Sequence, residues 1–196
     1  VATSSRAPFV GGTTAFPETA VYASDETSEE LDTPVAPAAL RALLPDLAEA
    51  YHDEFRTREA THTITAEAWL SPACQGLVLA GESRANLIVS VPAAGVVFAG
   101  ALASFGVTPL AFGGDPAAWQ RSLVVLADLA PTIVPGHGPP GGRADVDDLS
   151  GYFAACRTGR LGDGPWDRWT DRRFDPINIE RATRLAAGDH TIPTAM

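Results

Sequence analysis

Cysteine is scarce: the 196 residues contain two, Cys74 and Cys156, far apart and without C-x-x-C or C-x-x-x-H spacing. That pattern points to two reduced, buried thiols rather than a disulfide framework or a thiolate metal site. Long apolar runs are absent as well. No stretch approaches the ~20 residues of a membrane span and no signal peptide is visible, so a cytoplasmic protein is expected. Positive charge is short: 14 basic side chains face 24 acidic ones, for a net charge of −10 and a pI near 4.7. Nucleic acid and anionic membrane surfaces are therefore poor partners. What is present is globular in kind, 45% hydrophobic and 19% charged, which excludes wholesale disorder. The length fits one domain, 1–196, with room for a sizeable core. Arginine carries the basic charge, and Ala, Gly, Pro and Asp are abundant, as in a GC-rich bacterial source.

The most structured stretch runs from Gly95 to Arg143. A β-branched run, Val96 to Phe98, leads into a Gly-rich turn. A helical stretch follows from Ala117 to Leu129, with Asp115 as its cap and Pro116 at its first position. A second buried run, Thr132 to Pro135, ends on Gly136-His137-Gly138-Pro139. This order of strand, helix, strand and glycine-flanked histidine resembles the second half of the metallo-β-lactamase fold family. In that family an FAGD turn supplies a bridging aspartate and a GHGP turn supplies the last metal-binding histidine. His137 keeps the histidine position, whereas the aspartate position is Ala101.

The opening residues extend the likeness. Members read V-x-T-H-x-H-x-D-H-x-G-G-N-x-x-F-P and then a short strand, and Val1, Thr3, Gly11, Gly12, Phe16, Pro17 and Tyr22 fit that frame without a gap. The ligand positions hold Ser4, Arg6, Pro8 and Phe9 instead. A later loop, G-x-x-H-T-x-G-D in relatives, reads Gly81 to Asn86 here and sets Glu82 on the third histidine. The resemblance implies a four-layer αβ/βα sandwich whose first strands precede Val1. Without them one sheet would keep unpaired edges and an uncovered apolar face. An N-terminal segment, trimmed or contributed by another chain, is thus expected.

Elsewhere, Thr33 is expected to cap a helix from Pro34 to Arg58, kinked at Pro45, with Leu40, Leu43, Leu44, Leu47 and Tyr51 as its buried stripe. His52 and His62 read as surface residues. Thr61 to Leu70 alternates as a half-exposed strand, and Gly76 to Ala80 and Asn86 to Val91 are two more. Val146 to Arg157 reads as a helix with Leu149, Tyr152 and Phe153 inward. Thr158 to Asp175 reads as an ordered surface loop. Pro176 to Ala182 resembles the N-x-x-R-A helix that closes many relatives, with Asp175 as cap, and the tail from Gly188 should fray. Trp119, Trp166 and Trp169 read as core or lid residues.

A hydrolytic zinc site needs neutral imidazoles and carboxylates around an open position. With one retained histidine and a fixed cation at Arg6, no metal or other cofactor is expected. Arg6 and Glu82 fall on positions that share a metal in relatives, so an Arg6–Glu82 ion pair of bidentate geometry should fill that space. Phe9 and Ala101 should make the half beside His137 apolar. The cluster Ser4, Ser5, Arg6, Glu82, Ser83, Arg84, Asn86 and His137 is rich in hydrogen-bonding groups. It supports substrate binding by Arg6, Ser5, Ser83, Arg84, Asn86 and Phe9, with His137 as acid or base, Glu82 orienting it, and Ser4 as a weak nucleophile candidate. The resemblance implies a small organic substrate such as a thioester, lactone or polyketide-like intermediate, handled without metal. The alternatives are a repacked, inactive site in a partner protein of itself or of an active paralogue, and a metallohydrolase completed by the missing segment.

Overall fold

A five-stranded sheet in the order β3-β4-β5-β6-β7 forms the centre of the computed structural model, which describes residues 1–33, 35–43 and 45–193. Before it come α1 (Ala7–Val10), β1 (Tyr22–Ser24), α2 (Asp25–Asp32), α3 (Pro37–Leu43) and β2 (His62–Ile64). The sheet strands are β3 (Glu67–Ser71), β4 (Cys74–Leu79), β5 (Asn86–Val91), β6 (Val96–Ser104) and β7 (Thr132–His137). Neighbours are antiparallel except β6 and β7, which run parallel across helix α4 (Pro116–Leu129). Helices α5 (Arg143–Arg157) and α6 (Asp175–Ala186) complete the chain.

One face of the sheet is fully covered. Val97 and Ile133 pack with Leu123 and Leu126 of α4 and with Leu149, Tyr152 and Phe153 of α5 in one continuous core. Trp119 is buried among them and donates its indole N–H to Leu102 O at 2.7 Å. Side chains alternate along a strand, so Phe98 and its cross-strand partners Val89 and Val134 look the other way. There Phe98 is 46% exposed. Val89 and Val134 beside it are half-buried.

A smaller cluster of Ala2, Val10, Val21, Ala23 and Leu31 organises the N-terminal part. There β1 pairs in parallel with β2, and Ser24 caps α2 by accepting from Thr27 N. This corrects two expectations. Thr33 ends α2 rather than starting the next helix, and the helix placed over 34–58 is α3 followed by a 3-10 stretch, Pro45–Ala50. Proline lacks the N–H that would continue the ladder and clashes with the turn before it, which breaks the helix. Leu40 and Tyr51 of the stripe are buried. Leu44 and the side chains of Leu43 and Leu47 lie outside the described residues.

The alternating run from Thr61 to Leu70 is also two strands, one in each sheet. Strand β6 does not end at Phe98 but continues to Ser104 through an irregularity at Gly100, where φ is +49°. Asp115 caps α4 as expected. Asp175 does not cap α6: its carboxylate accepts from the Tyr152 hydroxyl (2.8 Å) and pairs with Arg172. The loop after α5 is pinned by Trp166, which is buried, and by a bridge between Thr170 and Val107. Past Gly188, His190 O and Thr191 O accept from Arg181, and Thr191 N donates to Asp189.

Candidate functional site

The segment Ala2 to Val10 lies along one end of the sheet. Ala2 N donates to Tyr22 O, Asn86 Nδ2 donates to Thr3 O (3.0 Å), and Thr3 Oγ1 accepts from Ala101 N (3.3 Å). Gly100 is the only residue type that fits beneath it, since a β-carbon there would sit 2.3 Å from Thr3 Oγ1. This seat fixes α1, with Arg6 at its N-cap and Phe9 three residues on.

Arg6 turns toward Glu82. Its Nε lies 3.9 Å from Glu82 Oε1, an ion pair too long for a hydrogen bond, so the expected bidentate contact is not formed. The Arg6 side chain is 45% exposed and the Glu82 side chain 14%. Burial pushes the Glu82 carboxyl above its ordinary value, against the opposing pull of the Ser4 hydroxyl and then of Arg6; Glu30 adds to the rise. Glu82 Oε2 and Ser83 Oγ are buried without a hydrogen-bond partner. The loop beneath them is closed by its own hydrogen bonds: Gly81 N donates to Ser83 O, and Asn86, fully buried, accepts from Ser83 N through Oδ1.

Phe9 turns the other way. Its ring meets the His137 ring edge-on, with centroids 5.4 Å apart, and lies over Gly136, where a β-carbon would stand 2.5 Å from Phe9 Cε1. Ala101 is buried on this side and His137 is exposed at the end of β7. This side is thus lined by the Phe9 ring against an exposed imidazole.

The remaining candidates separate. Ser4 is buried and its Oγ accepts from Arg6 N. The Ser5 hydroxyl donates to Glu30. Arg84 is exposed and pairs at 2.8 Å with Glu26 of α2, which also accepts from Ala85 N, so it faces away from Glu82. Among the described residues no hydrogen bond or ion pair joins His137 to Glu82 or to Ser4. Sequence reasoning missed the wall behind Arg6, the Gly113–Gly114 turn. A β-carbon on Gly113 would lie 3.1 Å from Arg6 Nη2, and one on Gly114 would lie 2.1 Å from Gly81 O. The adjacent glycines were the available signal.

The residues at the zinc positions do not fit a zinc ion. They offer one hydroxyl, one guanidinium, a pyrrolidine, a phenyl and a methyl group around one carboxylate and one exposed imidazole, and the described residues contain no group of three His, Cys, Asp or Glu that could hold a metal. Two surface clefts, of about 440 and about 590 Å³, lie elsewhere: one is lined by Ala7, Gly11, Tyr51 and Phe55, the other by Phe105, Pro139, Asp148 and Trp169. Among the described residues no helix is long and apolar enough to cross a membrane.

The mixed sheet with α4 to α6 on one face and the His137 turn at its end has the metallo-β-lactamase fold. The chain is similar to the DIM-1 metallo-β-lactamase at 17% identity and a TM-score of 0.56. It is similar to FIM-1 from Pseudomonas aeruginosa, solved in a mono-zinc form, at 19% and 0.56. It is also similar to a metallo-β-lactamase from Erythrobacter litoralis at 21% and 0.55. Each likeness covers 76% of this chain but 65%, 62% and 64% of those chains respectively, so this chain spans less than two thirds of their length. No family model matches the sequence, and no curated protein matches it.

Proposed function

We propose that this protein binds a small organic molecule against Arg6 and Glu82 without a resident metal, and that turnover there is acid–base chemistry. The observation that carries the reading is the pair of partnerless buried atoms, Glu82 Oε2 and Ser83 Oγ, beside a half-exposed guanidinium that makes no hydrogen bond within the described residues. A buried polar atom left unpaired costs about 1–3 kcal/mol. A ligand offering a donor to Glu82 and a carbonyl to Arg6 gives a partner to the carboxylate and to the guanidinium, and lactones and thioesters carry such carbonyls. Phe9 supplies an apolar wall, and exposed His137 is the group placed to exchange protons with solvent. Ser4, buried and hydrogen-bonded to the Arg6 amide, shapes the seat of Glu82 rather than attacking substrate.

The test is binding and turnover of acyl lactones and simple thioesters by protein dialysed against chelator. Binding should persist after dialysis and weaken by on the order of 10-fold in Arg6→Met, the size of one charge-assisted hydrogen bond. Turnover that appears only on adding zinc would sink this reading.

A second reading, a non-catalytic partner of itself or of an active paralogue, draws support from exposed Phe98, which stands between half-buried Val89 and Val134. Sedimentation of wild type and Phe98→Glu decides it. A concentration-dependent dimer lost in the variant supports an interface between copies, and a monomer throughout removes self-association.

A further inference from the structure

Helix α6 carries two buried polar side chains one turn apart, Asn178 and Arg181. Both reach the same neighbour, the segment 109–114, which has no regular helix or strand of its own. Asn178 accepts from Ala111 N (2.8 Å) and donates to Pro109 O (2.7 Å). Arg181 Nε donates to Gly114 O at 2.9 Å, while its Nη1 donates to His190 O (3.1 Å) and Thr191 O (3.0 Å). Backbone carbonyls thus receive the charge of a guanidinium only 7% exposed. Buried charge is costly unless it is hydrogen-bonded, so its position is narrowly set by those oxygens.

The other side of that segment is the wall of the ligand site. Gly113 lies against Arg6 Nη2, and the Gly114 backbone touches the carbonyls of Gly81 and Glu82. Two successive glycines have the widest backbone freedom of any pair and do not hold a wall in place by themselves. We propose that Arg181 is a positioning residue for Arg6 and Glu82, fixing through the Gly113–Gly114 turn the surface on which both rest. Around Glu82 the facing groups are Arg6 and Ser4 from the first segment, Glu30 from α2, and this turn. Of these the turn is the one held from the far side of the molecule, by α6 and the C-terminal carbonyls. Releasing it admits water to the partnerless oxygen of Glu82.

The inference rests on the Arg6–Glu82 reading but is tested on ligand-free protein, so a failure to find a ligand leaves it standing. Arg181→Met is compared with Leu149→Ala, a core variant taken at equal loss of thermal stability. Two quantities are read: amide hydrogen exchange over residues 81–86, and the pH titration of the Glu82 carboxyl carbon by NMR, assigned by its loss in Glu82→Gln. In Arg181→Met the exchange should rise at least ~10-fold above that of Leu149→Ala, and the titration should move down toward that of an exposed glutamate. Arg181→Lys, which keeps the charge but not the fork, should fall between wild type and Arg181→Met. If Arg181→Met does not fold, Arg181→Lys alone decides by the same two readings. Equal destabilisation with both readings unchanged, or both reproduced by Leu149→Ala, overturns the proposal.

Discussion

Arg6 and Phe9 leave the same single turn of helix and end in unlike surroundings. Phe9 lies on Gly136 and against the His137 ring, in van der Waals contact on both sides. Arg6 reaches a carboxylate at 3.9 Å and leaves a buried oxygen of that carboxylate without a partner. The apolar half is closed by ring packing, whereas hydrogen bonding is incomplete in the polar half. Repacking after loss of function predicts the first and not the second, because an unpaired buried acceptor is penalised and easily replaced by an apolar side chain. The difference makes the polar half the place to look for a ligand.

The largest effect should come from Gly114→Ala. Its β-carbon would meet Gly81 O at 2.1 Å, backbone against backbone, so the loss should reach or exceed about 3 kcal/mol, the upper range for overpacking, in urea unfolding. Phe9→Ala should cost less, about 2 kcal/mol, because the ring is only partly buried. An equal loss in Arg6→Ala would erase the contrast between the halves.

Glu82 gives the contrast a pH signature. Its folded carboxyl titrates above the ordinary 4.5, chiefly through burial, so above 4.5 the unfolded chain holds fewer protons than the folded one. The stability linked to this group is therefore fully present below 4.5 and is lost as pH rises through the raised folded value. Urea midpoints of wild type should fall over that window relative to those of Glu82→Gln. Parallel curves for the two proteins would show that Glu82 is solvated. The smallest effect belongs to Arg84→Ala. Its own guanidinium is exposed, and Glu26 keeps the Ala85 amide as a partner without it, so melting temperature should fall by only a few degrees and ligand affinity should stay at the wild-type value.

The frame around the candidate site was legible because short-range rules set it. Asp115-Pro116 announces a helix start, Gly136-His137-Gly138 a turn, and Leu149, Tyr152 and Phe153 a buried stripe; all three are in place. Arg6 meeting Glu82 followed from family positions, but its geometry did not, since the 3.9 Å gap depends on where the Gly113–Gly114 turn stands. Arg84 misled because its sequence neighbours are site residues, whereas Glu26, 58 positions away, takes its guanidinium. The 34–58 helix failed for a local reason, with Pro45 outweighing a leucine stripe. Thr33 stands at the end rather than the start of a helix because Asp25 to Asp32 holds a single apolar residue, Leu31, too few to mark α2 in the sequence.

The edge-on contact between Phe9 and His137 has a practical consequence for anyone wishing to engineer this scaffold. Phe9→His alone would bring a second imidazole to a space still governed by the Arg6 cation, and Arg6→His alone would leave the phenyl ring across the approach to His137. Neither step gains metal affinity without the other, so a zinc centre could be installed here only by concerted replacement.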